Sequence, residues 1–428
     1  MLDNKIVKKI VAAVDTAFEE QLAFTQELVR FPTQRGQEHV AQEFMAQAMH
    51  DRGLPVDRWT IDLEDICHHP GFSPVNVSYE NAVNVVATHR PTQIQGHSLI
   101  LNGHIDVVPT GPRDLWTFPP YEPRIEDGWM YGRGAGDMKA GLAANLFAFD
   151  ALRSAGYEPG GTVYFQSVVE EECTGNGALA CLTRGYHADA ALITEPTNGT
   201  LVRANAGVLW FQVEVRGRPA HVFESYKGTN AIEATYKIIK ALKMLEGEWN
   251  SRKSAQRYFE NEVKPITINV GKIQGGDWAS SVPCWCRIDV RAGMFPNTPV
   301  EEAQKEIELA IRAACRDDRY LSNHPPAITY NGFTCEGYVL EENTEAEQQL
   351  REAHCAVFSE DLNAQPSPAY LDARVFVLYD QTPALVYGPM SERIHGFDER
   401  VHLGSLRQVT QTVALFMAKW CGLQTAAG

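Results

Sequence analysis

The sequence predicts an α/β protein: a mostly parallel sheet covered by helices, interrupted by a smaller inserted α+β unit. Two observations carry this. From about residue 98 to 205, short apolar runs alternate with helical stretches, the order expected of parallel strands joined by helical crossovers. From 207 to 331 the texture becomes βαββαβ, and the first texture then resumes. A length of 428 residues, too long for one ordinary core, agrees with more than one domain. The expected division is 1–206 together with 332–428, and 207–331.

The elements follow in chain order. MLDNKIVKKIVAAVDTAFEEQLAF (1–24) mixes charges at helical spacing and lacks an apolar core with a cleavage site, so it predicts an amphipathic helix rather than a signal peptide. HSLILNGH (97–104) predicts a buried strand, and 138–156 a helix with Gly156 at its end. Strand 161–169, helix 177–185 and strand 188–194 complete the first stretch. In the inserted unit, VLWFQVEVRG (208–217) alternates as a strand and 229–247 is an amphipathic helix. Strands 266–276 and 284–293 follow, then helix 298–316, opened by Thr298 and Pro299. Beyond it come a helix near 345–359, the apolar strand PALVYG (383–388) and a closing helix 403–420.

Composition excludes several function classes. A net charge of −16, from 38 basic and 54 acidic residues, opposes binding to nucleic acid, which relies on dense Lys and Arg. The nine cysteines contain no CxxC pair, so neither a disulfide framework nor a zinc knuckle is expected; Cys284 and Cys286 fit buried small hydrophobes. No run reaches about 18 apolar residues, so no membrane span is expected, and the cytoplasm is the default compartment.

Chemistry-bearing residues gather where predicted strands end. His104 closes strand 97–104, at the edge where open parallel sheets place their sites, and Asp106 follows two residues later. A ligand histidine commonly gives its other ring N–H to a carboxylate; a capped strand-end histidine is the plainer alternative. YGRGAGDMKAG (131–141) delivers Asp137 at a helix start, as a simple cap or as a carboxylate bridging two cations, and lacks a phosphate-loop pattern. Glu170, Glu171 and Glu172 follow an apolar strand, where three carboxylates repel one another unless a cation intervenes or the run faces solvent. Glu195 ends strand 188–194, and His395 lies in a loop with Glu399 four residues on. Mixed imidazole and carboxylate donors suit catalytic zinc, and a shared Asp suits a pair of metals.

Taken in order, GHIDVVP, GRGAGDMKAG, EEECTGNGA, TEPT, the AH of RPAHV and the late H…E resemble the co-catalytic zinc amidohydrolases. That family includes acetylornithine deacetylase, succinyl-diaminopimelate desuccinylase, aminoacylase and glutamate carboxypeptidase. The resemblance implies one zinc on His104 and Glu195, a second on Glu172 and His395, and Asp137 bridging them, with cobalt or manganese as substitutes. It implies Asp106 orienting His104 and Glu171 acting as general base and acid. It also makes 207–331 a lid that forms a homodimer and carries His221, a donor to the tetrahedral oxyanion of a partner site. Arg291, Arg374 and Ser280 become substrate contacts. Ser280, in ASSVP, stands where many members carry Asn ahead of the Val-Pro pair, and Glu170 where Asp is commoner. The expected reaction is hydrolysis of an N-acyl amino acid to a carboxylate and a free amine. The alternatives are a dipeptidase or carboxypeptidase on the same metals, or a non-catalytic binding homologue.

Overall fold

The chain begins with α1 (Asn4–Arg30), where the Asp3 carboxylate caps the helix by accepting the Lys5 amide at 2.8 Å. The computed structural model describes residues 2–426; Met1, Ala427 and Gly428, which belong to the first expected helix and the last expected domain segment, lie outside them. Helix α2 (His39–Asp51) leads into strands β1 (Val56–Thr60), β2 (Val83–His89) and β3 (Leu99–His104). Then come α3 (Ala140–Ser154), β4 (Val163–Val168), α4 (Asn176–Thr183) and β5 (Ala190–Ile193). The next stretch supplies β6 (Gly207–Arg216), α5 (Ala231–Ser251), β7 (Ile268–Gly275), β8 (Trp285–Met294), α6 (Val300–Cys315) and β9 (Ala327–Cys335). Helices α7 (Glu345–Phe358) and α8 (Ala373–Tyr379), strand β10 (Ala384–Val386) and helix α9 (Leu403–Trp420) close the chain.

The α/β class with a mostly parallel sheet is as the sequence predicts. The larger sheet has the order β1-β2-β4-β3-β5-β10. Strands β4, β3, β5 and β10 run parallel, and the antiparallel pair β1 and β2 forms one edge. Every residue of β2, β3 and β5 is buried, as expected of strands covered on both faces. Register then decides where the loops emerge. His104 pairs with Val168 and Asn102 with Ile193, so the ends of β3, β4 and β5 lie almost level. The loops carrying Asp106, Glu171 and Glu195 leave the sheet along this one edge.

The second sheet has the order β7-β8-β6-β9 and is antiparallel throughout. Burial alternates along β6 and β8, so one face packs α5 and α6 through Phe211, Ile238, Leu242, Ile288 and Ile307. The opposite face carries Trp210, Gln212 and Glu214. No helix among the described residues is long and apolar enough to cross a membrane.

Candidate metal centre

His104 sits at the end of β3 with its side chain fully enclosed. Its Nδ1 donates to the Asp106 carbonyl oxygen at 2.9 Å, which directs Nε2 outward. Nε2 lies 3.0 Å from Asp137 Oδ1, 3.5 Å from Glu195 Oε1 and 3.9 Å from Glu171 Oε2. The other Asp137 oxygen, Oδ2, lies 3.4 Å from His395 Nε2, which is itself 3.1 Å from Glu172 Oε2. Asp137 therefore faces one histidine with each oxygen, flanked by Glu195 on the His104 side and Glu172 on the His395 side.

Local structure holds these groups. The simple capping use of Asp137 is not what the fold shows: α3 starts at Ala140, its N-terminal neighbour is Lys139, and no side chain caps it. Asp137 takes a non-helical conformation (φ −120°, ψ 97°) and turns to the two imidazoles instead. Its amide and that of Gly136 donate to Glu399 Oε1 at 3.1 and 3.0 Å, while Arg133 pairs with Glu399 Oε2. A Cβ on Gly141 would lie 2.2 Å from the Thr194 carbonyl oxygen, so glycine lets α3 close onto the chain carrying Glu195.

Asp106 also receives the Glu172 amide on Oδ2 at 3.1 Å, with the Glu171 amide 3.4 Å from Oδ1, so one side chain ties the His104 loop to the glutamate loop. Of the three glutamates, Glu170 turns away from the cluster. It is held by Arg35 at 2.5 and 2.7 Å and by the Tyr79 and Thr174 hydroxyls at 2.5 and 2.9 Å. Glu171 and Glu172 turn toward the imidazoles.

The electrostatics are those of a cluster arranged around positive charge. Burial opposes charge on His104, yet Glu195 and Glu171 outweigh it and hold its pKa well above the usual imidazole value. His395, whose side chain is half exposed, is likewise held at about 11: Glu172 and Asp137 outweigh its partial desolvation. Burial lifts Glu195 to about 8 and pushes Glu171 and Glu172 above the ordinary carboxylate range. Burial also works on Asp137, but hydrogen bonds from both histidines keep it well below that range. Glu195 Oε1 is buried and has no hydrogen-bond partner among the described residues. Donor atoms of His104, Glu171 and Glu195, and of His104, Asp137 and Glu172, form two groups within 4.8 Å. Oxygen and imidazole donors at these separations, with an orphaned carboxylate oxygen among them, fit divalent cations.

A cavity of about 770 Å³ opens over the cluster, lined by Asp137, Glu171, Glu172, Glu195 and His395 and, from the second sheet, by Trp210, Arg291 and Phe333. Arg291 gives one N–H to the Pro368 carbonyl at 2.8 Å. Other expected residues stand apart from it. Arg374 is buried, donates to the Gly71 carbonyl at 2.7 Å, and lies beside the rings of Tyr370 and Tyr379. His221 and Ser280 are exposed near one another, joined through the His221–Ser281 bridge and the Val222 amide, which donates to the Ser280 carbonyl.

Sequence reasoning missed Asp372, buried with Oδ2 unpartnered among the described residues while Oδ1 accepts the Tyr370 hydroxyl at 3.1 Å. Burial raises its pKa to about 7. It also missed the Arg133–Glu399 pair and the Arg35 anchor. Glu399 is the glutamate four residues after His395, and Asp372 immediately precedes α8, two residues before Arg374; these placements were the available signals.

Known proteins resemble the chain over most of its length. A deformylase of Halalkalibacterium halodurans, named for N-formyl-4-amino-5-aminomethyl-2-methylpyrimidine, is 29% identical with full coverage of both chains. A succinyl-diaminopimelate desuccinylase of Methylorubrum populi is 27% identical over 92% of this chain and 96% of its own. Among solved structures, human carnosine dipeptidase 1 shares the fold with a TM-score of 0.75 at 15% identity, covering 97% of this chain and 99% of its own. Residues 100–419 match peptidase family M20/M25/M40, so the chain belongs to that family and is one of its amide-bond hydrolases.

Proposed function

We propose that the protein hydrolyses the amide bond of an N-acyl amino acid, releasing a carboxylate and a free amino acid, with two zinc ions as cofactors and cobalt or manganese able to replace them. The observation that carries this reading is Asp137, whose two oxygens each face an imidazole with a glutamate alongside. In this reading His104 and Glu195 would hold one ion and Glu172 and His395 the other, with Asp137 between the two pairs. When bound, such ions would supply Lewis acidity at the scissile carbonyl. Asp106 orients His104 and the glutamate loop. Glu171, buried beside the cluster with a raised pKa, takes the proton of the attacking water and returns it to the leaving nitrogen.

Residues 1–206 with 332–428 would then be the catalytic domain and 207–331 a lid. Exposed Val222, Phe223 and Tyr226 beside His221 support a homodimer in which His221 donates to the oxyanion of the partner site. Arg291 in the cavity wall suits a substrate carboxylate. Arg374 would act through Tyr370, and Ser280 at the dimer contact; the cytoplasm is the proposed compartment.

A second reading is a formyl amide of a heteroaromatic amine, favoured by the full-length match to the pyrimidine deformylase. The test is zinc-loaded enzyme offered N-acetyl, N-succinyl and N-formyl amino acids, dipeptides and an N-formyl aminomethylpyrimidine, with free amine measured. Hydrolysis confined to N-acyl amino acids supports the first reading. Hydrolysis confined to the pyrimidine or to dipeptides replaces it, and no hydrolysis at all overturns both readings.

A further inference from the structure

The cavity has a wall that the hydrolytic chemistry does not require. Opposite the carboxylates and imidazoles in character, it is aromatic: Trp210 on β6, Phe333 on β9 and Tyr370 ahead of α8. Phe333 and Tyr370 stack with centroids 4.4 Å apart and planes at 30°, and Trp210 meets Phe333 edge-on at 5.1 Å and 86°.

Each ring is placed by backbone far apart in sequence. Trp210 pairs with Arg291 across β6 and β8, so indole and guanidinium share one face of the second sheet. The β6–β9 ladder shifts between Leu209 and Phe211, leaving Trp210 without a partner there. Gly332 enters that irregularity at φ +126°, and a Cβ on it would lie 2.7 Å from the indole. On the other side, a Cβ on Gly175 would lie 1.7 Å from the Tyr370 hydroxyl, which donates to Asp372. Two glycines thus make room for two rings. The Trp210 indole N–H is buried without an acceptor among the described residues. A donor left in that state is destabilising unless something accepts it.

We infer that Trp210, Phe333 and Tyr370 form a subsite for a planar aromatic ring on the amine portion of the substrate, with Arg291 beside it to meet an acceptor carried by that portion. This rests on the proposed amide hydrolysis and adds its specificity. A planar ring gains offset or edge-to-face contact on this wall, whereas a saturated ring of equal size gains only area burial. If the three rings served packing alone, ring planarity would not matter to the enzyme.

Two matched pairs test this on the zinc-loaded full chain: N-formyl-phenylalanine against N-formyl-cyclohexylalanine, and N-formyl-aminomethylpyridine against N-formyl-cyclohexylmethylamine. Within whichever pair is turned over, the planar member should lead in kcat/KM by about tenfold, carried by KM. Trp210→Leu should shrink that ratio toward one, and Trp210→Phe should restore most of it, which a folding defect would not do. Equal rates within the pairs, or a ratio that Trp210→Leu leaves intact, overturn the subsite while leaving amide hydrolysis standing. If neither pair is hydrolysed, the function reading fails on these substrates, and calorimetry decides the subsite alone. Aminomethylpyridine should then bind more tightly than cyclohexylmethylamine, and equal or absent binding overturns it.

Discussion

Replacing Glu399 with alanine tests how the metal centre is held together. Its carboxylate is almost fully buried and carries three interactions at once: the Arg133 guanidinium on Oε2, and the Gly136 and Asp137 amides on Oε1 at 3.0 and 3.1 Å. Arg133 is equally buried and, among the described residues, would keep the carbonyl oxygens of Gly396 at 3.1 Å and Pro109 at 3.5 Å and the face of the Trp116 ring, none of which neutralises its charge. Removing one partner of such a pair leaves an uncompensated charge and costs about 3–5 kcal/mol. The two amides released from Oε1 lose their acceptor as well, at about 1–3 kcal/mol each where no water replaces it. Because these amides belong to Asp137 and its neighbour, the damage should reach the metal, weakening zinc binding by about 10–100-fold. Glu399→Gln keeps the shape and one acceptor oxygen, so it should fall between wild type and alanine. Thermal unfolding in chelator reads the stability, and competition with a chromophoric chelator reads the affinity. A Glu399→Ala protein that is less stable yet binds zinc as wild type does would refute the reasoning, because Asp137 would then hold its place unaided.

Three further outcomes are expected. Glu171→Gln should retain both metal equivalents by elemental analysis while kcat falls by about 10²–10⁴-fold; loss of one equivalent would make Glu171 a ligand, as its nearness to His104 and Glu195 also allows. His221→Ala should lower kcat by about 10²–10³-fold, and mixing it with Glu171→Gln should recover activity if the histidine acts across a dimer; no recovery removes the trans role. Burial, with Asp106 and Glu170 adding, raises the Glu38 pKa from 4.5 to about 8. A raised folded-state carboxyl pKa gives stability that is complete below about 4.5 and lost as pH rises through about 8. Glu38→Gln should therefore flatten the decline in stability between those pH values, measured by denaturant unfolding, and parallel curves for the two proteins would contradict it.

The sequence by itself determined the α/β class and the residues able to carry chemistry. His104, Glu171, Glu172 and Glu195 were legible because apolar runs mark the strands, and a parallel strand must end where its loop meets solvent. Local signals misread Asp137, whose helix-start position suggests a cap; contacts with Glu399, His104 and His395 from distant segments take its backbone out of the helix. They also could not distinguish Glu170 from its two neighbours, since only the fold brings Arg35 and Tyr79 to it. Tertiary structure alone decided the strand order, with β4 seated between β2 and β3, and with it which loops converge. It alone joined Arg133 to Glu399 across 266 residues and brought Trp210, Phe333 and Tyr370 onto one wall. The physical reason is range. Periodicity and capping act over a few residues, whereas the pairing of buried charges and rings depends on register and sheet order, which no local pattern records.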